Sequence, residues 1–166
     1  MTRVVVREVE PGEHARVGDL TADAYRALPG PAHIDDAYEG EIRDVAGRLD
    51  STTVLVAVDG RDTVVGAVTY VPDRHSAWAE SLLDDEAGFR LLAVDPGVQG
   101  QGVGRELLHF VIARARADDR VALVLHTTPW MEAAASLYAR AGFTRAPERD
   151  FAADGLDLIA YRLELR

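Results

Sequence analysis

The sequence predicts a protein of the α/β class, of the α+β type, in which one mixed sheet of about six to seven strands is flanked by helices. Three observations support this prediction. Short apolar runs alternate with amphipathic helical stretches along the chain. The pair Asp59-Gly60 separates two of these runs and indicates an antiparallel hairpin. The run 121–125 is continuously apolar, which is typical of a central parallel strand.

The elements of the first half follow from turn residues and periodicity. Pro11-Gly12-Glu13 separates a first strand from a first helix, and Pro29-Gly30-Pro31 ends that helix. A second helix is indicated because Ile34, Tyr38, Ile42, Val45 and Leu49 recur at helical spacing. The polar stretch that follows the hairpin is expected to be a loop. The expected elements are a strand over 3–9, helices over 13–28 and 35–49, hairpin strands over 53–58 and 63–71, and a loop over 72–86.

The second half predicts strands and helices in alternation. An amphipathic helix is expected after the strand at 89–94, since its apolar residues share one face. Thr128-Pro129 has the form of an N-cap followed by proline at the first helical position, and Gly142 is the expected stop of that helix. The last strand alternates apolar and polar residues. The expected elements are strands over 89–94, 121–125 and 157–165, helices over 101–117 and 129–141, and a further strand before the last.

Composition narrows the possible chemistry. The 166 residues are enough for one domain, expected over 1–166. The chain has no cysteine, which excludes disulfides, thiolate zinc sites and cysteine nucleophiles. Its 18 basic residues are all arginine, so a Schiff-base lysine and a Walker-type phosphate loop are excluded as well.

Charge and hydropathy bear on location and partners. The net charge of −10 argues against nucleic acid as a partner. It favours cationic acceptors such as amines only weakly, and solubility alone would explain it. No apolar run reaches the roughly 18 residues of a membrane span, and the N-terminus lacks a signal-peptide core. We therefore expect a cytoplasmic protein with no membrane partner.

The most informative segment runs from Arg90 to Arg105, where a buried strand ends, glycines follow and an amphipathic helix begins. Unpaired backbone N–H groups and the helix dipole make such a helix start positive, and glycines allow an anion to approach. The segment therefore predicts a phosphate or pyrophosphate site. A dinucleotide-binding Gly-x-Gly-x-x-Gly motif does not fit, because its third glycine would fall on Arg105 or Leu107.

The spacing Gln-x-x-Gly-x-Gly at Gln99, Gly102 and Gly104, after Leu-Ala-Val-Asp-Pro, closely resembles the acyl-CoA signature of the GNAT superfamily of N-acetyltransferases. The segment 135–143 resembles the family's Leu-Tyr-x-x-x-Gly-Phe motif. The resemblance is strongest over 89–143 and weak before residue 50. It implies a mostly antiparallel sheet whose central parallel strands splay apart, acetyl-CoA as co-substrate without a metal, an amine acceptor and a possible homodimer.

The resemblance also implies roles for particular residues. Backbone groups of Leu92, Ala93 and Val94 would contact the pantetheine arm, and the Val94 N–H could act as an oxyanion donor. The backbone from Gln99 to Gly104, together with the Arg105 side chain, would hold the pyrophosphate. The residues of this loop are Gln99, Gly100, Gln101, Gly102, Val103, Gly104 and Arg105.

Catalysis would require a proton donor and a proton acceptor. Tyr138 would protonate the departing thiolate, the alternative being a packing role in an amphipathic helix. Glu86 is the candidate general base because it precedes the fourth strand, and the alternative is a surface carboxylate. His126 and solvent are other candidate bases. Met131 departs from the family, many of whose members carry asparagine seven residues before the tyrosine.

The acceptor itself cannot be read from the sequence. Tyr25, Trp78, His126 and Trp130 could line its site, or each could belong to the core. Three alternative functions stay open: a non-catalytic acyl-CoA sensor, a structural protein with incidental glycines, and transfer to oxygen or from a longer acyl donor.

Overall fold

The computed structural model describes residues 2–28, 34–153 and 155–166. They form a mixed, eight-stranded sheet flanked by helices. The strands are Val4–Glu8 (β1), Thr53–Asp59 (β2), Val64–Val71 (β3), Glu86–Val94 (β4), Ala122–Thr127 (β5), Thr144–Arg145 (β6), Phe151–Ala153 (β7) and Leu156–Glu164 (β8). The helices are His14–Arg26 (α1), Asp36–Arg43 (α2), Val45–Arg48 (α3), Val103–Ala117 (α4) and Glu132–Arg140 (α5). None of these helices is long and apolar enough to cross a membrane.

The sheet is antiparallel except at its centre. Its strand order is β1-β2-β3-β4-β5-β8-β6, and β7 pairs with another part of β8. The two central strands, β4 and β5, run parallel, but they pair only over Glu86–Gly88 and Ala122–Val124. Beyond Gly88 the two strands separate, because β5 continues along β8 as far as Thr127 while β4 continues along β3. The predicted splay of the central parallel strands is thereby confirmed.

A β-bulge shapes the free part of β4. Thr69 pairs with Arg90 and Ala67 with Ala93, so that Val68 alone faces the two residues Leu91 and Leu92. Leu91 has a positive φ of 56°, a conformation that costs a non-glycine residue of order 1–3 kcal/mol. Its side chain is 4% exposed, so burial of the leucine in the core helps to offset this cost.

The core lies on both faces of the sheet, because alternate residues of a strand point to opposite sides. Leu55 and Ala57 of β2 pack in a cluster with α4, whereas Val54, Val56 and Val58 pack in a cluster with α1. Helix α4 approaches β3 closely at Gly66. A Cβ there would lie 2.9 Å from side-chain atoms of both Leu107 and Val103, so the glycine permits this contact.

Several expected boundaries differ in the structure. The helix expected over 35–49 is split at Asp44, whose side chain accepts a hydrogen bond from the Gly47 N–H and starts α3. The last helix begins at Glu132, not after Thr128, because its first backbone bond runs from the Ala135 N–H to the Met131 carbonyl. The C-terminal region forms β6, β7 and β8, which brings the number of strands to eight. The expected stop at Pro29-Gly30-Pro31 lies outside the described residues.

Candidate active site

The separation of β4 and β5 opens a cavity of about 770 Å³, here called the gap cavity. Strand β4 contributes 89–92 to its wall, and the end of β5 with the residue after it contributes 125–128. Helix α5 contributes Tyr138, and α1 contributes Tyr25. The cavity is therefore a direct consequence of the short parallel pairing at the centre of the sheet.

The predicted phosphate loop connects the end of β4 to α4. Gly100 and Gly102 have φ values of 76° and 88°, which glycine adopts readily. Gly102 caps α4, and its carbonyl accepts the first helical bond from the Glu106 N–H at 3.1 Å. The backbone N–H groups from Gly100 to Arg105 have no acceptor among the described residues. A run of unpaired donors at a helix start is suited to an anion.

Three contacts hold this loop in place. The Asp95 carboxylate accepts a hydrogen bond from the Gly97 N–H at 2.8 Å and forms an ion pair with Arg16 at 2.6 Å. The Gly97 hydrogen bond and the Arg16 guanidinium both lower the pKa of Asp95, which therefore stays ionised near neutral pH. At the other side of the loop, the Thr2 N–H donates to the Gln101 carbonyl at 3.2 Å.

The last residues of β4 differ in whether they face the gap between β4 and β5. Leu92 lines the gap cavity, whereas the Ala93 side chain is buried in the cluster on the α1 face. The Asp95 N–H donates to the Val65 carbonyl at 2.8 Å, so the neighbouring pair Gly66–Val94 is a non-hydrogen-bonded pair of the antiparallel ladder. The Val94 N–H consequently faces away from β3, towards the side on which β4 has lost its partner.

Tyr138 lies between three aromatic rings and lines the gap cavity. Its ring centroid is 5.8 Å from that of Phe89, 5.9 Å from that of Phe143 and 6.0 Å from that of Tyr161. Burial raises the pKa of the phenol well above its ordinary value, and Tyr161 adds to the effect. The hydroxyl is therefore protonated at any physiological pH. None of the described residues forms a hydrogen bond with it.

A carboxylate and a histidine meet on the wall of the same cavity. Glu80 Oε2 is 3.2 Å from His126 Nδ1, and Glu80 Oε1 is 2.9 Å from an Arg90 guanidinium nitrogen. The other ring nitrogen, Nε2, is 3.0 Å from the Arg149 backbone carbonyl. Since a carbonyl can only accept, Nε2 carries a proton, and Nδ1 and Glu80 share any second proton. Burial raises the pKa of Glu80, but the hydrogen bond from His126 and the charge of Arg90 outweigh it and lower the pKa overall.

Glu80 is a candidate site residue that the sequence did not reveal. It lies in the loop between β3 and β4, and its φ is 49°. A left-handed conformation of a non-glycine residue beside a cavity is a mark of functional sites. No spacing motif surrounds Glu80, so the sequence offers no signal for it beyond a carboxylate in the predicted loop.

Glu86, the general base predicted from the sequence, does not line the gap cavity. Its side chain is 1% exposed and is absent from the wall of the gap cavity. Arg149 donates to its two oxygens at 3.0 and 2.8 Å, and Arg162 donates at 3.2 Å. Burial raises its pKa, but these bonds and that from the Leu83 N–H lower it overall. This environment disfavours the sequence interpretation, because a buried carboxylate held by two guanidinium groups is a poor proton acceptor.

Of the residues suggested for the acceptor site, only some line the gap cavity. The Thr127 hydroxyl donates to the Met131 sulfur at 3.3 Å. Thr128 is 6% exposed, lines the gap cavity and has a hydroxyl without a hydrogen-bond partner among the described residues. Tyr25 and His126 line the cavity, whereas the two tryptophans, Trp78 and Trp130, do not.

Solved structures share this architecture. A GNAT-family acetyltransferase of Staphylococcus aureus Mu50 has a TM-score of 0.76 and 16% identity, covering 99% of this chain and 100% of the other. YncA of Salmonella typhimurium, solved with acetyl-CoA, has a TM-score of 0.71 and 21% identity, covering 98% and 94%. The ribosomal-protein-alanine N-acetyltransferase of Brucella melitensis has a TM-score of 0.70 and 21% identity, covering 97% and 99%. At these identities the similarity establishes the fold.

The family itself is established at the level of sequence. No curated protein matches the chain at a significant level. The profile of the acetyltransferase (GNAT) family, however, matches residues 17–143. These residues include the wall of the gap cavity from Tyr25 to Tyr138 and the predicted phosphate loop. The chain therefore belongs to the GNAT family of acetyltransferases and is an acyltransferase.

Proposed function

We propose that this chain, acting over 1–166 as one domain, transfers an acetyl group from acetyl-CoA to a primary amine within a ternary complex. The observation that carries the proposal is the gap cavity. The predicted phosphate loop, whose backbone N–H groups lack acceptors among the described residues, begins where β4 ends, and the Glu80–His126 pair and Tyr138 lie on the cavity wall.

The residues present fit the co-substrate. The pyrophosphate would accept hydrogen bonds from the backbone between Gly100 and Arg105, where a run of donors lacks acceptors among the described residues. The Arg105 side chain is exposed and forms no ion pair with a described residue, so its charge is available to an anion. Acetyl-CoA supplies an acetyl thioester, an acyl group activated for attack by nitrogen.

Glu80 and His126 are the groups that would receive the proton of the amine. An alkyl amine with a pKa of about 10 is almost wholly protonated at neutral pH and must lose a proton before it attacks. When the pair lacks its shared proton, His126 Nδ1 and the Glu80 carboxylate are both acceptors, and both residues line the gap cavity. Transfer of that proton to Nδ1 leaves an imidazolium beside a carboxylate, an arrangement that the 3.2 Å contact stabilises.

Tyr138 is the group that would donate a proton. Its hydroxyl holds its proton at neutral pH because burial raises the pKa of the phenol. The sulfur that departs from the acetyl group needs a proton, since a free thiol has a pKa of about 8.5. The Val94 N–H, which faces away from β3, is the candidate donor to the carbonyl oxygen that becomes negative during attack.

Acetyl-CoA binding and thiol release test the proposal in two steps. At 100 times its Kd, acetyl-CoA should stabilise the protein by about 2.7 kcal/mol, which raises Tm by roughly 5–11 °C for a chain of this size. Gly102→Glu should remove that shift, because a carboxylate at the start of α4 repels an anion. Gly155→Glu is the matched control: Gly155 also has a positive φ, 77°, and open space around it, so the shift should persist.

The second step separates an enzyme from a binding protein. Thiol release from acetyl-CoA should depend on an added amine. Should Gly102→Glu fail to fold, Arg105→Glu, which leaves the backbone unchanged, should still weaken acetyl-CoA binding. No change of Tm at millimolar acetyl-CoA would refute the proposed co-substrate. A normal Tm shift without thiol release for any primary amine would favour a sensor.

A further inference from the structure

The gap cavity is lined by more negative than positive side chains. Among the described residues of its wall, Asp35, Glu41 and Glu80 are acidic, and Arg90 is the guanidinium. His126 adds a charge only when it is protonated. The wall is thus negative in either state of the histidine, and the chemistry of the acceptor should match this charge.

The positive charge of Arg90 is already compensated within the wall. Its guanidinium lies 2.9 Å from Glu80 and 4.9 Å above the ring of Trp78. Glu80 also contacts His126, so the two cationic or ionisable groups of the wall share one carboxylate. An acceptor with a carboxylate tail would therefore find no cation that is not already bound to Glu80.

The two carboxylates on the α2 side, unlike Arg90, are not compensated by an opposite charge among the described residues. Asp35 and Glu41 are exposed, and neither forms an ion pair with a described residue. Asp35 accepts a hydrogen bond from the Tyr38 N–H at 2.8 Å as the N-cap of α2, which leaves its negative charge uncompensated by a cation. The wall beside these carboxylates is aromatic, with Tyr25 and Tyr38, and aromatic faces attract cations.

An independent observation indicates that the cavity is suited to a polar ligand. The Thr128 hydroxyl is buried on the cavity wall and has no partner among the described residues. A buried hydroxyl without a partner is unfavourable unless a ligand or water completes its bonding. The cavity that these acidic side chains line thus also contains a buried hydroxyl that a bound polar ligand would satisfy.

Building on the proposed acetyl transfer, we propose that the acceptor is an aliphatic amine with a second cationic nitrogen at its far end, such as a diamine or polyamine. The reacting amine lies at Glu80 and His126. The distal ammonium lies at Asp35 and Glu41, where it forms the ion pairs that these carboxylates lack. The two carboxylates are six residues apart, about 9 Å along a helix. This separation suits a flexible amine, which can place its distal charge beside either carboxylate.

Three amines with five carbons each test the proposal: 1,5-diaminopentane, pentylamine and 5-aminopentanoate, which end in a cation, a methyl group and an anion. We expect kcat/KM for the diamine to exceed that for pentylamine by at least tenfold, and 5-aminopentanoate to be the poorest. The double variant Asp35→Asn/Glu41→Gln should lower kcat/KM for the diamine about tenfold, through KM, and change that for pentylamine less than twofold. Asn retains the N-cap of α2.

Asp50→Asn is the control, since it removes one exposed charge outside the cavity and should leave the preference unchanged. Equal kcat/KM for pentylamine and the diamine would overturn this inference and leave the acetyl transfer intact. So would an unaltered diamine preference in the double variant. No thiol release with any of the three amines would instead overturn the proposed amine acetylation, and this inference with it.

Discussion

The substitution Glu86→Gln distinguishes two roles for a carboxylate that its position in the sequence marks as a base. If Glu86 stabilises the fold by binding Arg149 and Arg162, the substitution should unfold the protein more easily and affect turnover only modestly. If Glu86 accepts the proton of the amine, the substitution should leave stability almost unchanged. Turnover should then fall by 10²–10⁴-fold, the usual contribution of a general base.

The structure sets the size of the expected effect. Glu86 is 1% exposed and accepts three hydrogen bonds from guanidinium groups, all of which glutamine weakens. Removal of one partner of a buried ion pair costs about 3–5 kcal/mol. The Arg149 and Arg162 side chains are 15% and 31% exposed, so water partly replaces the lost carboxylate. We therefore expect a loss of about 3 kcal/mol, or a Tm lower by roughly 6–12 °C.

Urea unfolding monitored by circular dichroism, together with steady-state kinetics well below Tm, measures both effects. Glu164→Gln is the matched control, because Glu164 also binds Arg162 but its side chain is 57% exposed, and exposed ion pairs contribute about 0–1 kcal/mol. We expect kcat of Glu86→Gln to fall less than tenfold. A stability loss below 1 kcal/mol combined with a 100-fold lower kcat would refute this reasoning and restore Glu86 as the base.

The pH dependence of the same pair of proteins provides a further check. The pKa of Glu86 is lower in the folded protein than in the unfolded chain, so its ionised form stabilises the fold. This contribution is complete above the ordinary glutamate pKa of about 4.3 and is lost as the pH falls through the folded value. The difference in unfolding free energy between wild type and Glu86→Gln should therefore be constant near pH 7 and shrink below about pH 4.

Two further substitutions address the proposed proton transfers. Tyr138→Phe should lower kcat by roughly 10 to 1,000-fold with little change in acetyl-CoA affinity. The reason is that the ring and its packing remain and only the proton donor is lost. Wild-type turnover in steady-state kinetics would exclude the hydroxyl from the mechanism. Glu80→Gln should lower kcat/KM about 100-fold, because an imidazolium that forms at His126 loses the carboxylate 3.2 Å away that stabilises it. Wild-type kcat/KM in steady-state kinetics would contradict the proposed role of Glu80.

Local features of the sequence predicted most elements well. The expected strand before the glycines and the expected helix after them are both present, although α4 begins at Val103 and not at residue 101. Such features are accessible from the sequence because backbone conformation and first-turn hydrogen bonds depend on residues close together in the chain. The errors in the local predictions are of the same kind: Asp44 caps a new helix within a stretch whose apolar spacing is continuous.

The proposed proton-accepting group could not be predicted in this way. Glu80 lies in the loop before β4 and Glu86 is the first residue of that strand, six residues later, where the sequence predicted the base. In the fold Glu86 binds Arg149 and Arg162, 63 and 76 residues further along the chain. Glu80 contacts His126 on a different strand. Which carboxylate is neutralised and which faces the cavity depends on these distant partners.

The sequence by itself thus predicted most of the order of the elements, a candidate anion-binding loop and the family. The tertiary structure alone decided where β4 and β5 separate, which acidic residue faces the gap between them and which charges line its wall. The physical reason is the range of the interactions involved. Glycine conformation and helix starts arise within a few residues, whereas burial and ion pairing arise between side chains that only the folded sheet brings together.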